Sequence, residues 1–275
     1  MNAAPRAKVT ELAKESSLTG RRFLVVEGPS DKLFFTRWIE ARSSELLADL
    51  SIIAADGVEV SWQDLESRGL SEGARQRVVW ISEEFPHSRS QIRCIADLDC
   101  GELAALFAND VLKWTDYPAL ESYGFTGRVF DVLNESFLRN SLPPGNTVVE
   151  ALQEAVIDLY RIRFHNPEAE HPSASSGFRG REWDPARTTS GEIAAKLASI
   201  DSPTFDDSRQ YAYGHDIVLL LLGRFGNEIK NKAKVRDPQL LEDLLRASIL
   251  QSGAFNGSRL AVELDEWLQT ADRQG

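Results

Sequence analysis

Over the first 125 residues, short apolar runs alternate with amphipathic stretches. Ala7 to Ser16 has helical spacing and reads as a short leading helix. Phe23-Leu24-Val25-Val26 is a branched and aromatic run of the kind found in a strand buried on both faces. Glu27-Gly28-Pro29-Ser30-Asp31 breaks it, and Asp31 to Arg42 resumes with Leu33, Phe34, Trp38 and Ile39 spaced for one helix face, Ser30 being the expected N-cap. Ser51 to Ala55 is the second strand, closed by Asp56-Gly57, and Val58 to Gly73 is polar and irregular. Gly73 to Glu84 predicts a helix through Val78, Val79 and Ile81, with a strand over its RVVWI segment as the alternative. Gln91 to Ala96 predicts a strand that ends in Asp97-Leu98-Asp99, and Asp110 to Trp114 a fourth. Strands alternating with helices imply a parallel sheet covered on both faces.

Beyond Phe125 the period changes. Val129 to Arg139 and Val148 to Phe164 are helical patterns separated by Pro143-Pro144-Gly145. His165 to Thr188 is polar and rich in Pro, Gly and Ser, and predicts a long loop in which His165 and His171 have no catalytic role. Gly191 to Ser199, His215 to Phe225, Pro238 to Leu250 and Ser258 to Thr270 complete a mainly helical C-terminal region. The expected organisation is an N-terminal helix over 1–20, an α/β domain over 21–127 and the helical region over 128–275.

Composition narrows the class. No apolar run approaches the roughly 18 residues of a membrane span, and Ile217 to Leu222, the longest, falls inside a helical pattern. The N-terminal segment has no apolar core of a secretory leader, so a cytoplasmic location and no membrane partner are expected. Cys94 and Cys100 are too few for a disulfide framework or a four-cysteine zinc module. The net charge of −11 argues against a protein that coats nucleic acid non-specifically, because such binding is driven by cations on phosphates. An enzyme acting on phosphodiesters tolerates that charge where divalent metal neutralises the site.

The acidic residues fall where the predicted strands end. Glu27 follows the first strand with Asp31 a turn later, Asp97 and Asp99 follow the third, and Glu121 comes shortly after the fourth. Ligands of open α/β sheets bind outside the carboxyl ends of the strands. Carboxylates gathered there repel one another unless cations intervene. An oxygen-only donor set suits Mg2+, Ca2+ or Mn2+ and does not suit zinc. One or two such ions activate water and stabilise the leaving oxygen of a phosphodiester.

FLVVEGPSDKLFF followed by IADLDCG resembles the signature of Toprim domains, a glutamate-glycine pair after one strand and an Asp-x-Asp after a later one. The resemblance implies a Toprim (Rossmann-like) parallel-sheet domain with Glu27, Asp97 and Asp99 catalytic and Mg2+-binding. Asp31, four residues after the glutamate, is similar to the second-metal position of the nuclease branch, the overcoming-lysogenization-defect (OLD) type. TDYPALESYGF resembles the acidic motif of the DUF4435 family, which places Glu121 with the metal ligands, and YAYGHDIVLLLL resembles a Gly-x-Asp helix start there. That family includes the Toprim effector of the PARIS anti-phage system, restrained by an ABC-type ATPase. The resemblance thus implies a Mg2+-dependent (or Mn2+-dependent) endonuclease binding one or two ions, with RNA, tRNA being the RNA it suggests, favoured over DNA as substrate. It implies a toxic defence effector with a partner ATPase, and a homodimer is the commonest assembly for such a chain. The alternative is a non-catalytic Toprim module that recruits protein or nucleic acid. The chain departs from the pattern in a long interval between Glu27 and Asp97, with an insertion around 57–72, and in lacking an obvious lysine to steady the scissile phosphate. Lys32, His215, Lys230, Lys232 and Lys234 are the substrate-binding candidates.

Overall fold

The structure, a computed structural model, describes residues 6–85, 91–166, 173–199 and 201–270; the predicted loop 165–188 lies outside the described residues at 167–172, His171 included. It is an α/β fold with a four-stranded parallel sheet and a mainly helical remainder. By internal contact the chain forms two units, residues 1–115 with 258–275, and residues 116–257. The division therefore falls at 115/116, against the expected 127, and the last helix belongs to the sheet unit.

In the first unit, α1 (Val9–Thr19) precedes β1 (Arg22–Val26), then α2 (Pro29–Glu40) and β2 (Leu50–Ala54). The short α3 (Trp62–Glu66) and then α4 (Ala74–Glu83) lead to β3 (Ile92–Ala96), and α5 (Glu102–Leu106) leads to β4 (Leu112–Trp114). The sheet order is β2-β1-β3-β4. Val26 pairs with Ala54, Val25 with Cys94 and Ala96 with Trp114. β1 is central and buried at all five positions, whereas the edge strand β2 alternates between buried and half-buried. That contrast is why FLVV reads as a continuous apolar run. Burying each of Phe23, Leu24, Val25 and Val26 contributes about 1.5–3 kcal/mol. The RVVWI segment is helical in α4, with Val78, Val79, Ile81 and Ser82 turned into the core. Their spacing covers one helical face, and the strand alternative is not taken.

Helix α2 begins two residues earlier than expected. Gly28 is its N-cap, Pro29 opens it and Ser30 lies inside its first turn. Proline suits that place because its missing N–H has no intrahelical partner there. Asp31 Oδ2 accepts a hydrogen bond from Gly28 N at 2.9 Å and so closes the turn from the third helical position.

The second unit opens with a buried 3-10 turn over Leu120–Gly124. It continues through α6 (Gly127–Ser136), α7 (Gly145–His165), a two-stranded hairpin β5 (Phe178–Arg179) and β6 (Glu182–Trp183), and α8 (Gly191–Lys196). The described part of the expected loop thus carries short ordered elements, anchored where Trp183 Nε1 donates to Asp158 of α7 at 3.0 Å. Helices α9 (Gly214–Glu228) and α10 (Pro238–Ser252) complete the unit. α9 breaks helical geometry at Phe225 and widens into a π turn over Ile229–Ala233, which Lys234 ends in the left-handed region at φ 67°. The chain then returns to the first unit as α11 (Arg259–Thr270), whose apolar side holds Leu260, Ala261, Leu264, Trp267 and Leu268. Arg22 donates to the Leu268 carbonyl at 2.6 Å, and ion pairs of Arg42 with Asp265 (2.7 Å) and Lys113 with Glu263 (3.1 Å) fix it there. Among the described residues no helix is long and apolar enough to cross a membrane.

Candidate functional site

The strand order reverses direction between β1 and β3. From β1 the chain moves to β2 on one side, then crosses to β3 on the other and continues outward to β4. Such a switch point opens a crevice at the carboxyl ends of the two central strands. Glu27 is the residue after β1 and Asp97 the residue after β3. The two are joined: Asp97 N donates to Glu27 Oε1 at 2.7 Å. Both are half-buried, as is Asp31, whose carboxylate is bonded to Gly28 N. The Asp97 loop is itself pinned, with Leu98 N donating to Thr115 Oγ1 at 2.9 Å and Gly101 N to the Leu98 carbonyl at 2.8 Å.

Asp99 turns differently. It occupies the left-handed region at φ 48°, one of the few conformations in which Asp is better tolerated than most residues. Its carboxylate contacts the guanidinium of Arg75 from the first turn of α4. Sequence reasoning missed Arg75. The available signal was its position, since a cation in the first turn of a helix faces the positive end of the helix dipole and calls for an acidic partner.

Among the described residues no group of three or more His, Cys, Asp or Glu side chains is gathered closely enough to cage a metal ion. Mg2+ does not require such a cage. It keeps several waters and is commonly held by one or two carboxylates together with substrate phosphates. The 2.7 Å bond between these neighbouring strand ends runs from the main-chain amide of Asp97, so it fixes the glutamate carboxylate and leaves that of Asp97 unplaced.

Glu121 lies in the second unit, 4% exposed, in an ion network of its own. Arg246 of α10 contacts its carboxylate and also pairs with Glu242 at 3.4 Å. His215 Nδ1 meets Glu242 at 3.1 Å, and this bond holds the imidazole pKa above its usual value against a partial opposing effect of burial. Gly214 packs directly on Glu121: a Cβ there would sit 1.9 Å from Glu121 Oε2. Asp216, 2% exposed, is gripped in two-pronged fashion by Arg163, from Nε at 3.1 Å and Nη2 at 2.7 Å. Ser122 Oγ donates to the Ala212 carbonyl. The segments TDYPALESYGF and YAYGHD, far apart in sequence, are therefore packed together within this unit. Arg246 was also missed; its only trace in the sequence is an i,i+4 spacing from Glu242. Nearby, burial pushes the Tyr117 hydroxyl up to about 12, partly offset by Arg209, whose guanidinium stacks 4.5 Å from the ring.

The basic candidates separate. Lys32 is exposed on α2 and lines a cavity of about 560 Å³ beside the edge strand β2, together with Arg21, Thr36 and Ser51. Lys230, Lys232 and Lys234 are exposed on and just after the π turn of the second unit. The chain matches no protein-family model. No curated protein matches it either.

Proposed function

We propose that the chain is a metal-dependent Toprim-type nuclease that hydrolyses phosphodiester bonds in nucleic acid, RNA ahead of DNA. The observation that carries this reading is the hydrogen bond between Asp97 N and Glu27 Oε1. It ties the glutamate-glycine motif to the Asp-x-Asp motif at the switch point of a parallel sheet. Glu27 and Asp97 would hold one Mg2+ or Mn2+ ion, with Asp99 beside them. A bound divalent ion supplies charge neutralisation and a more acidic water. Glu27, oriented by the Asp97 amide, is the group that would take or hold the proton of an attacking water. Asp31 would extend the donor set, although its Oδ2 also caps α2. Glu121 is assigned to the ion network of the second unit.

A net charge of −11 suits an enzyme that attacks nucleic acid poorly on its own and is restrained or directed by a partner. A homodimer acting as a toxic anti-phage effector, with tRNA as substrate and an ABC-type ATPase holding it inactive, is the extension that the family resemblance adds. The competing reading, a non-catalytic recruitment module, draws on the fact that Arg75 already occupies Asp99.

The test incubates the purified chain with Mg2+ or Mn2+ and either total tRNA or plasmid DNA, beside Glu27→Ala. Metal-dependent cleavage that falls about 100-fold or more in the variant supports the reading, as expected for loss of a general base. Cleavage that survives Glu27→Ala refutes it. Absence of both metal binding by calorimetry and cleavage, with or without an ABC-type ATPase partner, favours the recruitment module.

A further inference from the structure

We propose that the second unit carries a phosphate-gripping surface for nucleic acid, formed by the β5–β6 hairpin, the end of α9 and the π turn that follows; the proposal rests on the nuclease reading above for the class of ligand. Arg179 and Arg181 are exposed on the hairpin. The hairpin lies against α9: a Cβ at Gly223 would meet the Ser175 carbonyl at 2.9 Å and the Phe178 ring at 3.2 Å, so the glycine permits the close approach. Arg224 is the next residue of α9. Its own partial burial, and then Arg181 nearby, hold its guanidinium below the usual pKa, with Glu228 opposing. Lys230 folds back along α9, its Nζ 4.0 Å from the place a Cβ on Gly226 would take. Beyond it Ile229, Ala233 and Val235 are buried while Lys230, Lys232 and Lys234 are exposed, so the backbone is anchored and its cations face outward.

Like charges brought together cost free energy unless an anion answers them. Elsewhere in this unit Arg163, Lys196, Arg209, His215 and Arg246 each meet a carboxylate, whereas among the described residues the cations of this surface form no ion pair. From Arg224 to Arg236 the chain has Glu228 as its single acidic residue, in a protein of net charge −11. That far field counts little at contact range, because charges beyond about 8 Å are largely screened at physiological salt. The surface offers contacts to phosphates rather than to bases. Trp183, the aromatic residue of the hairpin, rests 5.2 Å from the Phe178 ring and donates Nε1 to Asp158, so its ring is already engaged. Binding here is therefore independent of base sequence and driven by release of counter-ions from the phosphates. The second unit grips the substrate, and the chemistry is left to the carboxylates of the sheet unit.

The test measures binding of fluorescein-labelled tRNA to the full chain in EDTA, across about 0.05 to 0.2 M salt. The parent is compared with Arg179→Gln/Arg181→Gln and with Lys230→Gln/Lys232→Gln. The control is Lys14→Gln/Arg128→Gln, an equal loss of charge from exposed positions on α1 and α6. Each surface double should weaken binding about tenfold or more near 0.1 M salt and flatten the plot of log affinity against log salt by about 1–2, the loss of two phosphate contacts. The control should change affinity by less than about twofold. The two doubles alter different elements, so either carries the test if circular dichroism shows the other misfolded. Equal weakening in the control overturns the surface, because net charge would then suffice. Cleavage of tRNA in Mg2+ with KM unchanged in both surface doubles also overturns it, and leaves the nuclease reading standing. A parent that binds no tRNA overturns it as well. Poly-glutamate that competes as well as unlabelled RNA of equal charge overturns nucleic acid as the ligand. Binding lost in both doubles, with no cleavage by the parent in Mg2+ or Mn2+, upholds the surface and counts against the nuclease reading alone.

Discussion

Replacing Gly214 by alanine sets two physical rules against each other. Gly214 opens α9 and is not among the glycines with positive φ, so alanine can adopt its backbone. On conformational entropy alone, Gly214→Ala should stabilise by about 0.4–1 kcal/mol. The packing predicts the opposite sign. The new Cβ would lie 1.9 Å from Glu121 Oε2, 2.7 Å from its Cδ and 3.1 Å from its Cβ. Glu121 is 4% exposed and held by Arg246, so its carboxylate has no open solvent to retreat into. Overpacking of this kind costs about 1–3 kcal/mol, and more if the shift strips Arg246 from a buried carboxylate. The net expectation is a loss of about 1–3 kcal/mol, lowering the melting temperature by roughly 3–10 °C. Calorimetry on Gly214→Ala, Glu121→Ala and the double variant measures it. In the Glu121→Ala background the space is vacated, and the glycine substitution should then cost less than about 0.5 kcal/mol. A neutral or stabilising Gly214→Ala, or an equal loss in both backgrounds, refutes the contact.

Further outcomes follow from neighbouring groups. Arg246→Met should destabilise by about 3–5 kcal/mol, because it leaves Glu121 and Glu242 charged and buried without their shared partner; urea unfolding reads this, and a loss near zero would contradict it. His215 has its pKa raised above 6.5 by Glu242. Its contribution is therefore fully present below pH 6.5 and is lost as pH rises through the folded value, so His215→Asn should lower the melting temperature more at pH 6 than at pH 8.5. The difference should be small because the imidazole is largely exposed, and a larger loss at the higher pH would reverse the assignment. Burial drives the Cys94 thiol well above its usual value while Cys100 is partly accessible, so a thiol reagent should modify one cysteine in the native chain and two after denaturation.

What the sequence made legible depended on whether a feature leaves a local trace. The run Phe23 to Val26 and the run Ile92 to Ala96 announce buried strands because both faces are covered, and the Asp, Glu and Gly that end them mark the crevice. The start of α2 was misplaced by two residues because the cap is made by Asp31 reaching back to the Gly28 amide, a bond in which Ser30 has no part. Helix α11 was legible as a helix, but its period says only which side is apolar and nothing of what that side meets. Its return to the sheet unit is fixed by Arg22, Arg42 and Lys113, which are 246, 223 and 150 residues from their partners. The same limit hid Arg246, 125 residues from Glu121.

The roles of the acidic residues separate by what holds them. Glu121 meets Arg246, Asp216 meets Arg163, Asp207 meets Arg209 and Asp99 meets Arg75. In the first two the carboxylate is almost wholly buried, and pairing is the condition for keeping a charge there at all. The Asp207–Arg209 pair is partly exposed and ties down a turn of the second unit. The Asp99–Arg75 pair joins a left-handed residue of the loop after β3 to the first turn of α4. Glu27 is oriented by the main-chain amide of Asp97, which fixes the direction of the carboxylate without cancelling its charge. A chain with 42 acidic against 31 basic residues does not need a further carboxylate in its crevice for solubility. Held by that amide at the switch point of the sheet, Glu27 is the carboxylate that the proposed metal-dependent reading singles out, and Glu27→Ala is the variant that tests it.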